Sequence, residues 1–144
     1  MAFINPPDGE IARLLNAAKT IALLGASANP ARDSHEVMTF LQGKGHRVIP
    51  VNPGLAGKTL LGETVYGHLD DIREKIDLVD VFRASEYLYG IVGECIAARV
   101  PAIWTQLGVV DDLAGAKAKD AGMVVVMNKC PKIEYPRLGI EGPG

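Results

Sequence analysis

Five largely apolar runs of strand length, separated by segments of helical pattern, constrain the fold of this chain more than any other feature. The runs are TIALLGA, HRVIPVNP, IDLVDVFR, VPAIWTQ and MVVVMN. Strands that are apolar along most of their length are buried on both faces, and their alternation with helices is typical of a parallel sheet covered on both sides. The sequence therefore predicts a doubly wound α/β fold, and right-handed crossovers favour the strand order 3-2-1-4-5.

Length and composition narrow the class of protein further. A chain of 144 residues predicts one domain over residues 1–144, with a core over about residues 9–138. The net charge of −2 argues against nucleic acid or an anionic membrane as a partner, so any anion site must be local. No run is long enough to span a bilayer and the N-terminus lacks a secretory pattern, so we expect a cytoplasmic protein. The tail from Lys129 onward is interrupted by Pro and Gly and is predicted to be irregular.

The turn after the first strand is a candidate phosphate site. Glycine and alanine allow a close approach of the backbone, and the helix that begins near Asp33 directs free amides and its positive dipole end toward the same place. The alternative is that this turn binds no ligand, and that its small residues and polar side chains serve only to form the turn and to cap the helix. The candidate phosphate-binding residues are Gly25, Ala26, Ser27, Arg32 and Ser34.

The second strand narrows the kind of phosphate compound. A dinucleotide dehydrogenase would carry G-x-G-x-x-G in the first turn and an acid at the end of the second strand, but this chain has GASANP and Val51-Asn52-Pro53. A neutral strand end tolerates an additional phosphate on the ribose. Coenzyme A or a nicotinamide cofactor with a 2′-phosphate therefore fits better than NAD, with Lys44, Arg47 and Lys58 as candidates to neutralise that phosphate.

Several sequence blocks, in order, resemble the stand-alone coenzyme A-binding proteins of the YccU-like group. The blocks are TIALLGAS, GHRVIPVNP, LGETVYGHLDDI, IDLVDVFR, AIWTQLGVV and IEYPRL, within residues 9–138. The fold of that group is similar to the coenzyme A-binding domain of the succinyl-CoA synthetase alpha subunit. The resemblance implies a Rossmann-like domain that holds coenzyme A with its pyrophosphate over the first turn.

The resemblance also implies which strand ends contact which part of coenzyme A. The first turn would surround the phosphates, the end of the second strand would pack against adenosine, and the later strand ends would form a wall and the pantetheine side. One departure is that Asn128-Lys129 stands where the family pattern leads us to expect Asp-Arg, which removes a negative charge. Beyond the phosphate residues, the implied site residues are Val51, Asn52, Pro53, Phe82, Arg83, Gln106, Gly108, Asn128 and Cys130.

The strand ends offer few candidates for catalysis. His35, His46 and His68 are expected at surface or capping positions, and no phosphohistidine position is apparent. Cys130 is open to two interpretations, a thiol activated by Lys129 near the thiol of the coenzyme, or a small buried hydrophobe.

We therefore expect a non-catalytic module that binds coenzyme A or an acyl-CoA and acts in sensing or as a carrier. The alternatives are an NADP-dependent oxidoreductase and an interaction module without a ligand. Asp80, inside an apolar strand, is expected to need a polar partner.

Overall fold

The structure is a computed structural model that describes residues 2–144, and the five apolar runs form its main sheet. A short antiparallel hairpin, β3 and β4, follows the second main strand. None of the helices within residues 2–144 is long and apolar enough to cross a bilayer. The strands are β1 Thr20–Leu24, β2 Arg47–Val51, β3 Thr59–Leu60, β4 Glu63–Thr64, β5 Leu78–Val81, β6 Ala102–Thr105 and β7 Val124–Val126, and the helices are α1 Asp8–Ala17, α2 Asp33–Gly43, α3 Leu88–Ala97, α4 Asp112–Asp120 and α5 Pro131–Leu138.

Helices cover both faces of the sheet, which confirms the predicted α/β class. On one face, alternate strand residues such as Leu23 and Trp104 pack with side chains of α1, α2 and α5. On the other face, residues such as Val79 and Ile103 pack with α3 and α4. Because side chains alternate along a strand, the continuous apolar runs of the sequence supply both cores at once.

The predicted strand order is wrong in one respect. The observed order is β2-β1-β5-β6-β7, with every neighbouring pair parallel, so the third main strand lies beside the first and not outside the second. Pro50 in β2 explains the difference, because proline has no N–H to donate and is confined to edge strands or strand ends. The missing N–H of Pro50 would point to the outer edge of β2, away from β1. On that side the Pro50 carbonyl accepts the Tyr66 amide at 3.0 Å.

The predicted irregular tail is also wrong, because residues 131–138 form helix α5. Pro131 occupies the first turn, where its missing N–H costs nothing, and Gly139 ends the helix at φ 63. Tyr135 is buried to 1% exposure, and its hydroxyl is hydrogen-bonded to the ring of His46. Burial of this ring outweighs the helix-breaking tendency of Pro136, which a local pattern cannot reveal.

Candidate functional site

A crevice opens where β1, β2, β5 and β6 end at one edge of the sheet. Its wide cavity, about 900 Å³, lies between the N-terminus of α2 and the loops after β5 and β6. Its narrow cavity, about 400 Å³, lies beside the end of β2, between residues 67–69 and α3. The direction in which strands are added reverses between β1 and β5, and this is the switch point where sheets of this kind bind ligands.

Gly25 forms the floor of the first turn and has no room for a side chain. Its φ is 88°, and a Cβ at this position would lie 2.4 Å from the carbonyl oxygen of Phe82. The amides of Gly25 and Ala26 donate to the carbonyl of Val51 at 3.0 and 3.2 Å. These two amides therefore continue the β1–β2 ladder, and the turn contributes shape to the crevice more than donors.

The donors that do face the wide cavity lie at the start of α2. The amides of Asp33 and Ser34 have no acceptor within the part of the chain that the structure describes, as is usual for a first helical turn. Arg32, exposed, lines the same cavity, and Ser34 is a buried part of its wall. The carboxylate of Asp33 offsets part of the positive charge here. Free amides, an arginine and a hydroxyl together are groups that can donate hydrogen bonds to an anion.

The loop between β1 and α2 is held by its own side chains. Ser27 Oγ accepts the Asn29 amide at 3.1 Å, and Asn29 Oδ1 accepts the Ala31 amide at 3.0 Å. Such local side-chain bonds fix a loop in one conformation. The hydroxyl proton of Ser27 can still be donated to a ligand in the wide cavity.

Asn52 holds two loops together at the end of β2. Its Nδ2 donates to the Ala26 carbonyl at 2.8 Å, and its Oδ1 accepts the Gly54 amide at 2.8 Å. The side chain therefore fixes the position of the first turn relative to β2. An acid at this position could not donate to Ala26, which gives a structural reason for the amide.

Phe82 and Arg83 follow β5, and Phe82 lines the wide cavity. Arg83 lines both, and its guanidinium lies 4.7 Å above the ring of Tyr87. This cation–π contact restricts an exposed, flexible side chain without neutralising it. Arg83 thus places a positive charge where the narrow cavity opens into the wide one.

Gln106, the first residue after β6, lies in the wall of the wide cavity and is 7% exposed. Its Oε1 is buried and has no hydrogen-bond partner within residues 2–144. An unpaired buried acceptor costs about 1 to 3 kcal/mol, and a ligand that donates to it would recover that cost. This is the wall group best suited to an N–H donor of a ligand.

Gly108 and Asn128 are linked to each other, and only Gly108 reaches the cavity. Asn128 adopts φ 62°, and its Oδ1 accepts the Gly108 amide at 2.8 Å. The backbone N–H of Asn128 donates to Thr105 Oγ1, and the Thr105 hydroxyl donates to the Val109 carbonyl. Asn128 therefore holds the loop after β6 from behind.

Cys130 lies outside both cavities. It is 8% exposed, precedes the first residue of α5, and packs in the apolar layer that includes Trp104. Its neighbour Lys129 has its ammonium 3.8 Å from the buried carboxylate of Glu134. Of the two interpretations, the surroundings favour a small buried hydrophobe.

The crevice brings together twelve of the fourteen candidate residues, while Asn128 and Cys130 lie outside both cavities. Direct contact with a ligand stays a prediction for all of them. The wide cavity is lined by Gly25, Ala26, Ser27, Arg32, Ser34, Asn52, Phe82, Arg83, Gln106 and Gly108, and the narrow one adds Val51 and Pro53.

Sequence reasoning missed residues that line the narrow cavity, chiefly His68 and Glu94. His68 follows the hairpin, and the bridge between Val51 and Tyr66 brings this segment to the end of β2. Glu94 lies within α3, where helical periodicity alone does not indicate that a cavity is near. The block YGHLDDI, quoted above for the resemblance, was the one available signal for His68.

Three cations predicted to neutralise a ribose phosphate are not at the crevice. Lys44 packs at the C-terminal end of α2, and Arg47 pairs with Glu63 and Glu74 at the start of β2, so both lie at the opposite edge of the sheet. Lys58 lines neither cavity. For Lys44 and Arg47 the predicted topology already argued against the assignment, because the end of a crossover helix and the start of the next parallel strand lie at the edge away from the ligand.

Asp80 does not have the polar partner that was expected. Both carboxylate oxygens are buried without a hydrogen bond among residues 2–144, between Leu23 of β1 and Trp104 of β6. Burial raises the pKa of Asp80 to about 8. The group is therefore protonated at neutral pH, and it remains inside the sheet as a neutral acid.

Residues 19–136 match the model of the CoA binding domain family. The chain belongs to this family. It is 37% identical to the protein YneT of Bacillus subtilis (strain 168) over 131 residues, 91% of this chain and 96% of YneT.

Two solved structures of comparable size share the fold of this CoA binding domain. A Thermus thermophilus protein, cell-free ID.343, has a TM-score of 0.88 at 38% identity, covering 92% of this chain and 99% of that one. A hypothetical protein from Pyrococcus horikoshii OT3 has a TM-score of 0.87 at 34% identity, covering 96% and 99%. The resemblance to stand-alone coenzyme A-binding proteins is confirmed. Within residues 2–144 no group of three or more His, Cys, Asp or Glu side chains could hold a metal ion.

Proposed function

We propose that this protein binds coenzyme A, free or acylated, in the crevice at the carboxyl ends of the strands, and acts as a sensor or carrier and not as a catalyst. The observation that carries the proposal is the shape and polarity of that crevice. Two adjoining cavities extend from the end of β2 to the end of β6. They share Gly25, Asn52, Gly54 and Arg83, and the free first turn of α2 lines the wide cavity. Coenzyme A is an elongated molecule with its pyrophosphate in the middle and matches this order.

The proposed orientation puts adenosine in the narrow cavity, the pyrophosphate at the first turn of α2 beside Arg32, and pantetheine along the wide cavity toward β6. Arg83 would face the phosphate groups from the opposite wall. Gln106 Oε1, buried and unpaired, would accept an N–H from one of the pantetheine amides. Membership of the CoA binding domain family supports the same ligand class.

A binding role is favoured because the polar groups of the crevice suit recognition better than proton transfer. Asn52 uses both ends of its amide to join loops, and Cys130 lies outside the cavities. His46, the most buried histidine, donates from Nδ1 to the Ala18 carbonyl, and its Nε2 is hydrogen-bonded to the Tyr135 hydroxyl, away from the crevice. His68 and Glu94 line the adenosine side, distant along the ligand from its reactive thiol.

Calorimetry and thermal unfolding with coenzyme A, dephospho-coenzyme A, acetyl-coenzyme A, NAD and NADP test the proposal. A ligand at 100 times its Kd should stabilise the protein by about 2.7 kcal/mol, which is a readily measured shift in Tm for a domain of this size. We expect binding of coenzyme A and acetyl-coenzyme A, and weaker binding of NAD. A response to NADP alone would favour an oxidoreductase, and no response to any of the five would favour an interaction module.

A further inference from the structure

Three exposed apolar side chains lie on the loops after β5 and β6, and one of them, Leu107, lines the wide cavity. Tyr87 is 49% exposed, Leu107 51% and Val110 44%. Ser85 joins their two loops, because its Oγ accepts the Val110 amide at 2.8 Å and its hydroxyl donates to the Gly108 carbonyl at 3.2 Å. We name this surface, Tyr87, Leu107 and Val110, the apolar rim. A group of exposed apolar residues beside a polar crevice marks a contact site more often than scattered single residues do.

Leu107 and Val110 of the rim are carried by the loop after β6, which is fixed from three sides. Thr105 Oγ1 donates to the Val109 carbonyl at 2.7 Å, Asn128 Oδ1 accepts the Gly108 amide at 2.8 Å, and Ser85 bonds on the third side. The backbone that carries Leu107 and Val110 is therefore held in place. A fixed apolar surface binds an apolar group without first losing loop entropy.

Continuity with the crevice indicates what the rim binds. Leu107 lines the wide cavity, and Arg83, which lines both cavities, packs against the ring of Tyr87. Neighbouring strands lie about 4.8 Å apart, so the end of β6 is roughly 10 Å from the first turn after β1. A ligand arm that starts at the first turn of α2 and crosses β5 and β6 ends at the rim. In the proposed orientation that end is the thiol and whatever acyl group it carries.

We infer that the apolar rim binds the hydrocarbon chain of an acyl-coenzyme A, so that this protein prefers coenzyme A esters of medium-chain fatty acids to free coenzyme A. The inference rests on the proposed function, since it takes the position of the thiol from that orientation. It adds a ligand preference that the crevice alone does not specify. A chain on an open rim is buried on one side only, so each methylene adds less affinity than full burial would give.

The test compares Kd values from calorimetry for coenzyme A, acetyl-, butyryl- and octanoyl-coenzyme A with the native protein and with Leu107→Ser, Val110→Ser and Ile96→Ser. Ile96, 37% exposed in the last turn of α3, lines neither cavity and is the matched apolar residue. We expect octanoyl-coenzyme A to bind at least about tenfold more tightly than acetyl-coenzyme A to the native protein. Octanoate alone is titrated in the same way, to measure any binding of the hydrocarbon chain that does not require the coenzyme.

In the two rim variants the octanoyl-to-acetyl ratio should fall to about threefold or less, and in Ile96→Ser it should keep the native value. Using the ratio within each variant removes any effect on affinity for the coenzyme itself. Equal affinities for all chain lengths, or a preference unchanged in the rim variants, would overturn the inference while binding of coenzyme A still stands. If none of the coenzyme A compounds binds, the proposed function fails as well.

Discussion

Replacement of Asp80 by asparagine should remove a pH-dependent loss of stability from the centre of the sheet. Asp80 is fully buried in β5, neither carboxylate oxygen is hydrogen-bonded within the described chain, and burial raises its pKa to about 8 from an ordinary value of 3.8. The unfolded chain releases this proton near pH 4, while the folded protein keeps it until about pH 8. Between these values the unfolded state binds fewer protons, so stability falls as pH rises.

The expected gain in unfolding free energy follows from the same shift in the pKa of Asp80. Each pH unit between about 4 and 8 costs the native protein about 1.4 kcal/mol of unfolding free energy that the asparagine variant does not lose. Between about pH 5 and pH 7 the variant should therefore gain about 2.7 kcal/mol relative to the native protein. Against a typical domain stability of about 5 to 15 kcal/mol, that difference is large.

Urea unfolding at several pH values, followed by fluorescence of the single tryptophan, Trp104, measures this difference. Trp104 is fully buried next to Asp80 in the sheet, so its emission reports loss of this part of the core. Asp70→Asn, at an exposed carboxylate, is the control and should leave the native pH dependence nearly unchanged. A free-energy difference between Asp80→Asn and native protein that is constant from pH 5 to pH 8 would refute the reasoning.

Three further substitutions test the crevice. Gly25→Ala should lower the unfolding free energy by at least about 2 kcal/mol in urea titrations. The reason is that residue 25 has φ 88° and that its Cβ would lie 2.4 Å from the Phe82 carbonyl oxygen. A loss below about 0.5 kcal/mol would show that the turn relaxes. Arg32→Glu should weaken coenzyme A binding about tenfold or more in calorimetry without lowering Tm, whereas Arg73→Glu, at the opposite edge of the sheet, should not affect binding. Gln106→Leu should leave the unfolding free energy unchanged or higher, because it removes an unpaired buried acceptor, and should raise the Kd for coenzyme A about three- to tenfold. Unaltered affinity in either crevice variant would remove that side chain from the site.

The fold class was predictable because burial on both faces leaves a mark on every strand. The order of the strands was harder, since both 3-2-1-4-5 and the observed arrangement satisfy right-handed crossovers. Pro50 carried the information needed to choose, because a proline in β2 is compatible with an edge and not with a central position. Helix α5 was not predictable from local pattern, since its stability comes from burial of Tyr135 against His46 and Phe40, residues about 90 positions earlier.

The site was predictable by position but not by which polar groups remain available. Parallel strands place their carboxyl ends together, so listing the residues after each strand located the crevice. Yet Asn52 and Asn128 already use their side chains to hold loops, and the amides of Gly25 and Ala26 are already paired with Val51. The groups left for a ligand are fewer: the first turn of α2 with its arginine, the wall arginine after β5, and one unpaired glutamine oxygen. Such a set supplies positive charge and one acceptor for an anionic, amide-bearing ligand, while the titratable side chains of His68 and Glu94 lie in the narrow cavity.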